Sequence, residues 1–122
     1  MTDRRKLLWL ILAATAARLL IAWRTPLIAG EAYYWLWGRH LAAGYFDHPP
    51  MTAWTSALLF GWIDGSVVAA RAAPILLFAL SLWALFALSR ALFPDGRSAW
   101  LSALFFAAAP LFLAGGAMVG PD

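Results

Sequence analysis

The chain contains no cysteine, which excludes disulfides, thiolate nucleophiles and thiolate metal sites and leaves the compartment open. Charge is also scarce. Only 12% of the 122 residues are Asp, Glu, Lys or Arg, about half the share carried by a soluble domain. The net charge of +3 comes from nine basic residues scattered along the chain, with no stripe to follow a phosphate backbone, so nucleic acid is not an expected partner.

What the chain has in excess is apolar surface. It is 64% hydrophobic, carries eight tryptophans, and contains long runs of Leu, Ala and Phe. A bilayer is the solvent that suits such a composition. The first basic cluster, Arg4-Arg5-Lys6, directly precedes an apolar run, where anchoring on the cytoplasmic side explains it.

An all-α integral membrane protein is expected, with three transmembrane helices at about 7–23, 71–90 and 99–119. Residues 1–16 also resemble a secretory signal, with basic residues, a short apolar run and the triplet Ala14-Thr15-Ala16. An uncleaved span is the expectation, because the chain stays apolar through Trp23 and Arg18 can snorkel toward the headgroups. Pro74 falls in the expected first turn of the second span, where a missing N–H costs little. Pro110 and Gly115-Gly116 predict a bend in the third. "FPDGR", 93–97, reads as a tight turn between spans. Basic residues divide five to three in favour of a cytoplasmic N-terminus. With three spans, the loop 24–70 and the final Gly120-Pro121-Asp122 then emerge on one non-cytoplasmic face.

That loop is where chemistry is expected. It contains "GEAYYWLWGRHLAAGYFDHPPM", residues 30–51, crowded with groups that lipid-facing helices do not use. Glu31 opens an expected interfacial helix over 31–43, where the helix dipole favours a carboxylate. The plainer reading is a good helix-start residue. Tyr33, Tyr34, Trp35 and Trp37 suit a sugar platform or a lipid rim, although such residues collect at membrane interfaces whatever the function. Asp47 and His48 stand on a corner stiffened by Pro49-Pro50 and suit a divalent metal ion or a phosphate oxyanion. No second pair with metal-ligand spacing accompanies them. The following run, 51–63, is too short to span and reads as an interfacial helix. Arg18, Arg24 and Arg71 suit a lipid phosphate near the outer headgroups, or snorkelling anchors.

The order of "GEAYYWLW", "AAGYFDHPP" and the closing "GPD" resembles the membrane glycosyltransferases of the GT-C fold. The branch is the one with the protein O-mannosyltransferases and the aminoarabinose transferases that act on lipid A. The resemblance implies the N-terminal part of a longer, many-span GT-C enzyme in a bacterial inner membrane. It implies transfer of a sugar from a polyprenyl-phosphate carrier to a lipid, glycan or protein acceptor. In that reading Glu31 and Asp122 are the catalytic acids, His48, Tyr34, Trp35 and Arg71 bind substrate, and Asp47 meets the metal. Gly30 departs from the pattern, standing where the first acid of a pair is often Asp. The competing expectation is a small three-span protein, or a lipid-phosphate binding remnant, without catalysis.

Overall fold

The computed structural model describes residues 3–46, 48–59, 66–93 and 95–110. They form five helices and, among the described residues, no strand: α1 (Asp3–Arg24), α2 (Ala29–Trp37), α3 (Met51–Leu59), α4 (Val67–Leu92) and α5 (Gly96–Ala108). Two of them, α1 with 22 residues and α4 with 26, are long and apolar enough to cross a bilayer. At 1.5 Å per residue they measure about 33 and about 39 Å, against a hydrocarbon core of about 30 Å.

Local chemistry sets the helix ends. Pro26 forces Thr25 out of helical geometry, and α1 stops at Arg24. The amide and the hydroxyl of Thr25 both donate to the carbonyl of Ile21, at 3.0 and 2.7 Å, closing the last turn. Ser66 caps α4 by accepting from the Ala69 amide at 3.2 Å. Asp95 caps α5 by accepting from the amide and hydroxyl of Ser98, at 3.1 and 2.8 Å. Helix α5 ends at Ala108 because Ala109, which precedes Pro110, is extended.

Helices α1 and α4 run antiparallel, since Asp3 meets Arg90 at one end and Thr25 meets Arg71 at the other. Helix α5 packs on both. The core holds Leu7, Phe78, Leu82 and Phe86 with Ala99, Ala103 and Ala107. Those alanines recur every four residues on one face of α5, letting its backbone approach the α1–α4 pair closely. Phe106 stacks on Phe78 with ring centroids 5.2 Å apart. Most large apolar side chains of α1 and α4, among them Leu8, Trp9, Leu12, Leu80 and Trp83, point outward. Such an inside-out distribution is stable when the surroundings are lipid.

Several expectations shift. The spans begin earlier than hydropathy alone suggests, at Asp3 and Val67. Pro74 is consequently the eighth residue of α4, past the first turn, and deprives the Ala70 carbonyl of its helical donor. The expected third span begins as α5, of 13 residues, while 111–119, including Gly115-Gly116, lie outside the described residues. The interfacial helix expected over 31–43 is shorter and earlier, Ala29–Trp37. The one expected over 51–63 is described to Leu59.

Arg18 and Arg71 do not snorkel, whereas Arg24 at the end of α1 is exposed. Arg18 and Arg71 are each 1% exposed. The Arg18 guanidinium lies 3.5 Å from the centre of the Phe78 ring, and its Nη1 donates to the Ala14 carbonyl at 3.1 Å. Both arginines lie on the helix faces that meet other protein, which removes the path to the headgroups that snorkelling needs.

Candidate functional site at the junction of α1, α2 and α4

Arg71 sits one turn into α4, facing the linker between α1 and α2. Its Nε and Nη2 donate to Glu31 Oε1 and Oε2 at 2.8 and 2.5 Å, a bidentate fork. Nη1 donates to the Thr25 carbonyl at 3.1 Å and to Thr25 Oγ1 at 2.5 Å, and Nη2 also reaches the Pro26 carbonyl at 3.0 Å. A guanidinium has five N–H groups, and these contacts occupy all of them.

The pair is placed where two helix ends want its charges. The Thr25 and Pro26 carbonyls just past the C-terminal end of α1 face the Arg71 cation, and the N-terminal turn of α2 carries Glu31. Glu31 Oε2 also accepts from the Ile28 amide at 3.1 Å, so the carboxylate closes the turn that starts α2. Ile28 has no side-chain oxygen to return the bond. Glu31 is 1% exposed. For its carboxylate to take a proton it would have to leave Arg71 and strand a buried guanidinium.

Beside the pair, aromatics fold the rest of the loop. Trp37 is buried and stacks on Tyr45, with centroids 4.2 Å apart and planes 5° from parallel. The Tyr45 hydroxyl is shared between the carbonyls of Trp37 and His40, each at 2.9 Å. Trp54 Nε1 on α3 donates to the Ala42 carbonyl at 3.0 Å. Gly38 lets α2 end against α3: a Cβ there would meet the Trp35 carbonyl oxygen at a tight 3.2 Å and would touch Ala53 O and Ala57 N at 3.5 Å. The corner thus returns to α2. Tyr34 Oη and His48 Nε2 are 3.3 Å apart, and the Tyr45 amide donates to the His48 carbonyl at 3.3 Å.

The residues expected at the site divide into groups. Glu31 and Arg71 come together as one buried unit, and Tyr34 and His48 as a half-buried pair. Trp35 stands apart from the ring cluster, with the Arg39 guanidinium 4.7 Å from its ring centre. Asp47 and Asp122 lie outside the described residues. Among the described residues, no group of three or more His, Cys, Asp or Glu gathers in a way that could hold a metal ion. At Gly30 a Cβ would meet only Tyr34 Cε2 at 4.0 Å, so the departure from the acidic pair is not forced by crowding. Sequence reasoning missed Thr25, whose hydroxyl and carbonyl hold Arg71, and Tyr45, which closes the loop. The Thr-Pro step after the first span was the available signal for Thr25.

Comparison with known families adds the reaction class. The family described as dolichyl-phosphate-mannose-protein mannosyltransferase matches residues 47–122, a stretch that starts at the acidic corner and contains His48, Arg71 and Asp122. Glu31, Tyr34 and Trp35 precede the matched stretch. No curated protein and no solved structure matches the chain. The match covers more than half of the chain, and with its apolar helices α1 and α4 the chain belongs to the dolichyl-phosphate-mannose-protein mannosyltransferase family, membrane glycosyltransferases of the GT-C type.

Proposed function

We propose that the chain is the N-terminal part of a glycosyltransferase that moves a sugar from a polyprenyl-phosphate carrier to a lipid, glycan or protein acceptor. The reaction takes place at the non-cytoplasmic face of a bacterial inner membrane, with the N-terminus cytoplasmic and a third span completing the expected topology. The acceptor hydroxyl attacks the anomeric carbon, the bond from that carbon to the carrier phosphate breaks, and the carrier leaves as polyprenyl phosphate. A carboxylate takes the acceptor's proton, and positive or hydrogen-bonding groups stabilise the departing phosphate.

The observation that carries this reading is the junction itself. A polar loop between two apolar helices is tied down by the buried Glu31–Arg71 pair, and Tyr34 and His48 are held together beside it. This reading also redistributes the roles. Glu31 and Arg71 occupy each other, which favours Asp122 as the proton acceptor and gives Glu31 the task of setting α2 and its aromatics in place. His48, Tyr34 and Trp35 face the donor, and Asp47 meets its phosphate or a divalent cation.

Sugar transfer from a polyprenyl-phosphate donor, assayed in membranes carrying the protein in its native reading frame, tests the proposal. Asp122→Asn is expected to lower kcat by a hundredfold or more, the usual range for a lost general base. His48→Ala is expected to raise KM for the donor more than it lowers kcat. Transfer at the normal rate by Asp122→Asn would remove that residue from the chemistry, and absence of transfer by the parent protein would leave a membrane protein without catalysis.

A further inference from the structure

At the end of the α1–α4 pair away from Arg71, a groove of about 810 Å³ opens between the first turns of α1 and the last turns of α4. Its apolar wall includes Leu8, Trp83 and Phe86, and its rim carries Arg4 and Arg90 with Asp3 between them. Leu8 and Trp83 are 56% and 58% exposed, so the wall is accessible along its length. Asp3 does not cancel the rim. Its carboxylate lies 3.8 Å from Lys6 Nζ and 3.9 Å from Arg90 Nη1, and among the residues that line the groove two cations, Arg4 and Arg90, stand against this one anion.

The position of the groove selects its occupant. When α1 and α4 span a bilayer, their ends lie at headgroup depth. The basic rim then faces lipid phosphates, while the apolar wall runs inward beside the acyl chains. A soluble anion would satisfy the rim and leave the wall uncovered. A zwitterionic lipid would bring its own cation against Arg4 and Arg90. We propose that this groove binds an anionic glycerophospholipid, its phosphate held by Arg4 and Arg90 and an acyl chain laid along Leu8 and Trp83. The site stands at the opposite end of the spans from the transfer site and does not depend on that reading.

Trp83 supplies the reporter. The purified chain is placed in phosphatidylcholine nanodiscs containing chain-brominated phosphatidylglycerol, or the same fraction of chain-brominated phosphatidylcholine. The Trp83 signal is isolated by subtracting a Trp83→Phe variant. Each basic residue facing anionic lipid contributes about a fivefold preference, so the anionic quencher is expected to act at least fivefold more strongly on Trp83. The double variant Arg4→Gln/Arg90→Gln is expected to erase that preference, with helicity unchanged by circular dichroism. Arg24→Gln, at the far end of α1, is expected to keep it. Equal quenching by the two lipids in the parent chain would overturn the proposal, and so would a preference that survives the double variant or vanishes in Arg24→Gln.

Discussion

An acid faces an arginine of α4 at both ends of the α1–α4 pair, yet the two pairs belong to different physical regimes. Glu31 and Arg71 form a bidentate contact at 2.5 and 2.8 Å with side chains no more than 1% exposed. Asp3 and Arg90 meet once, at 3.9 Å, with side chains 40% and 46% exposed. Water screens the second pair and leaves both partners mobile, so its net worth is about 0–1 kcal/mol. The first pair has given up water on both sides. Its charges persist only because the hydrogen bonds of Thr25, Pro26 and Ile28 complete the shell. Burial is costly, so it marks the end where the fold is specified. Exposure marks the end left open to a mobile ligand such as lipid.

Removing one partner of the buried pair should therefore have the largest effect. Arg71→Met leaves the Glu31 carboxylate uncompensated and is expected to cost about 3–5 kcal/mol, read as a shift in denaturation midpoint in detergent. The double variant Glu31→Gln/Arg71→Met removes both charges and should recover most of that loss, because two neutral partners no longer strand a charge. A single-variant cost below about 1 kcal/mol would place Arg71 in the same screened regime as Arg90 and dissolve the contrast.

The contrast was only partly legible in the sequence. Hydropathy found the cores of α1 and α4, because lipid exposure demands apolar side chains over a fixed length. Glu31 was legible as a residue for a helix start. Its partner was not, because a contact between positions 40 residues apart is settled by packing. Starting the second span at Arg71 made that arginine look like an anchor at a helix end. The signal that would have corrected this was Ser66, an N-cap residue immediately before the apolar run, which moves the helix start back and turns Arg71 inward. Backbone carbonyls such as Thr25 and Pro26 leave no mark on side-chain chemistry, so two of the five hydrogen bonds around Arg71 could not be read. The aromatic cluster was unreadable for another reason. Membrane-interface preference and ring packing select the same residues, and only the fold separates Trp37, buried against Tyr45, from Trp35 under Arg39.

At the open end, the expected change is small. Asp3→Asn loses two exposed contacts, to Lys6 and Arg90, and should alter stability by no more than about 0.5 kcal/mol, an effect that raised salt makes smaller still. A cost several times larger would mean that Asp3 is shielded from water and that the two ends resemble each other more than their exposure suggests.

The smallest effect belongs to Asp95, which sits in the connection between α4 and α5 on this open side. The hydroxyl and amide of Ser98 hold its carboxyl below the usual aspartate value, with the nearby Arg90 adding to the shift. Hydrogen bonds to the ionised form favour ionisation. The sign follows from linkage. The folded value is lowered, so the cap's contribution is complete above the ordinary aspartate value of about 3.9 and is lost as pH falls through the lowered one. Protection of the Ser98 amide against hydrogen exchange should accordingly hold constant from neutral pH to about 4 and decline only below that. Asp95→Asn keeps an acceptor at the cap but removes the titration, so its protection should be flat across the same range. An acid-dependent decline that persists unchanged in Asp95→Asn would assign the titration to another group and show that this end of the molecule is governed by more than its exposed cap.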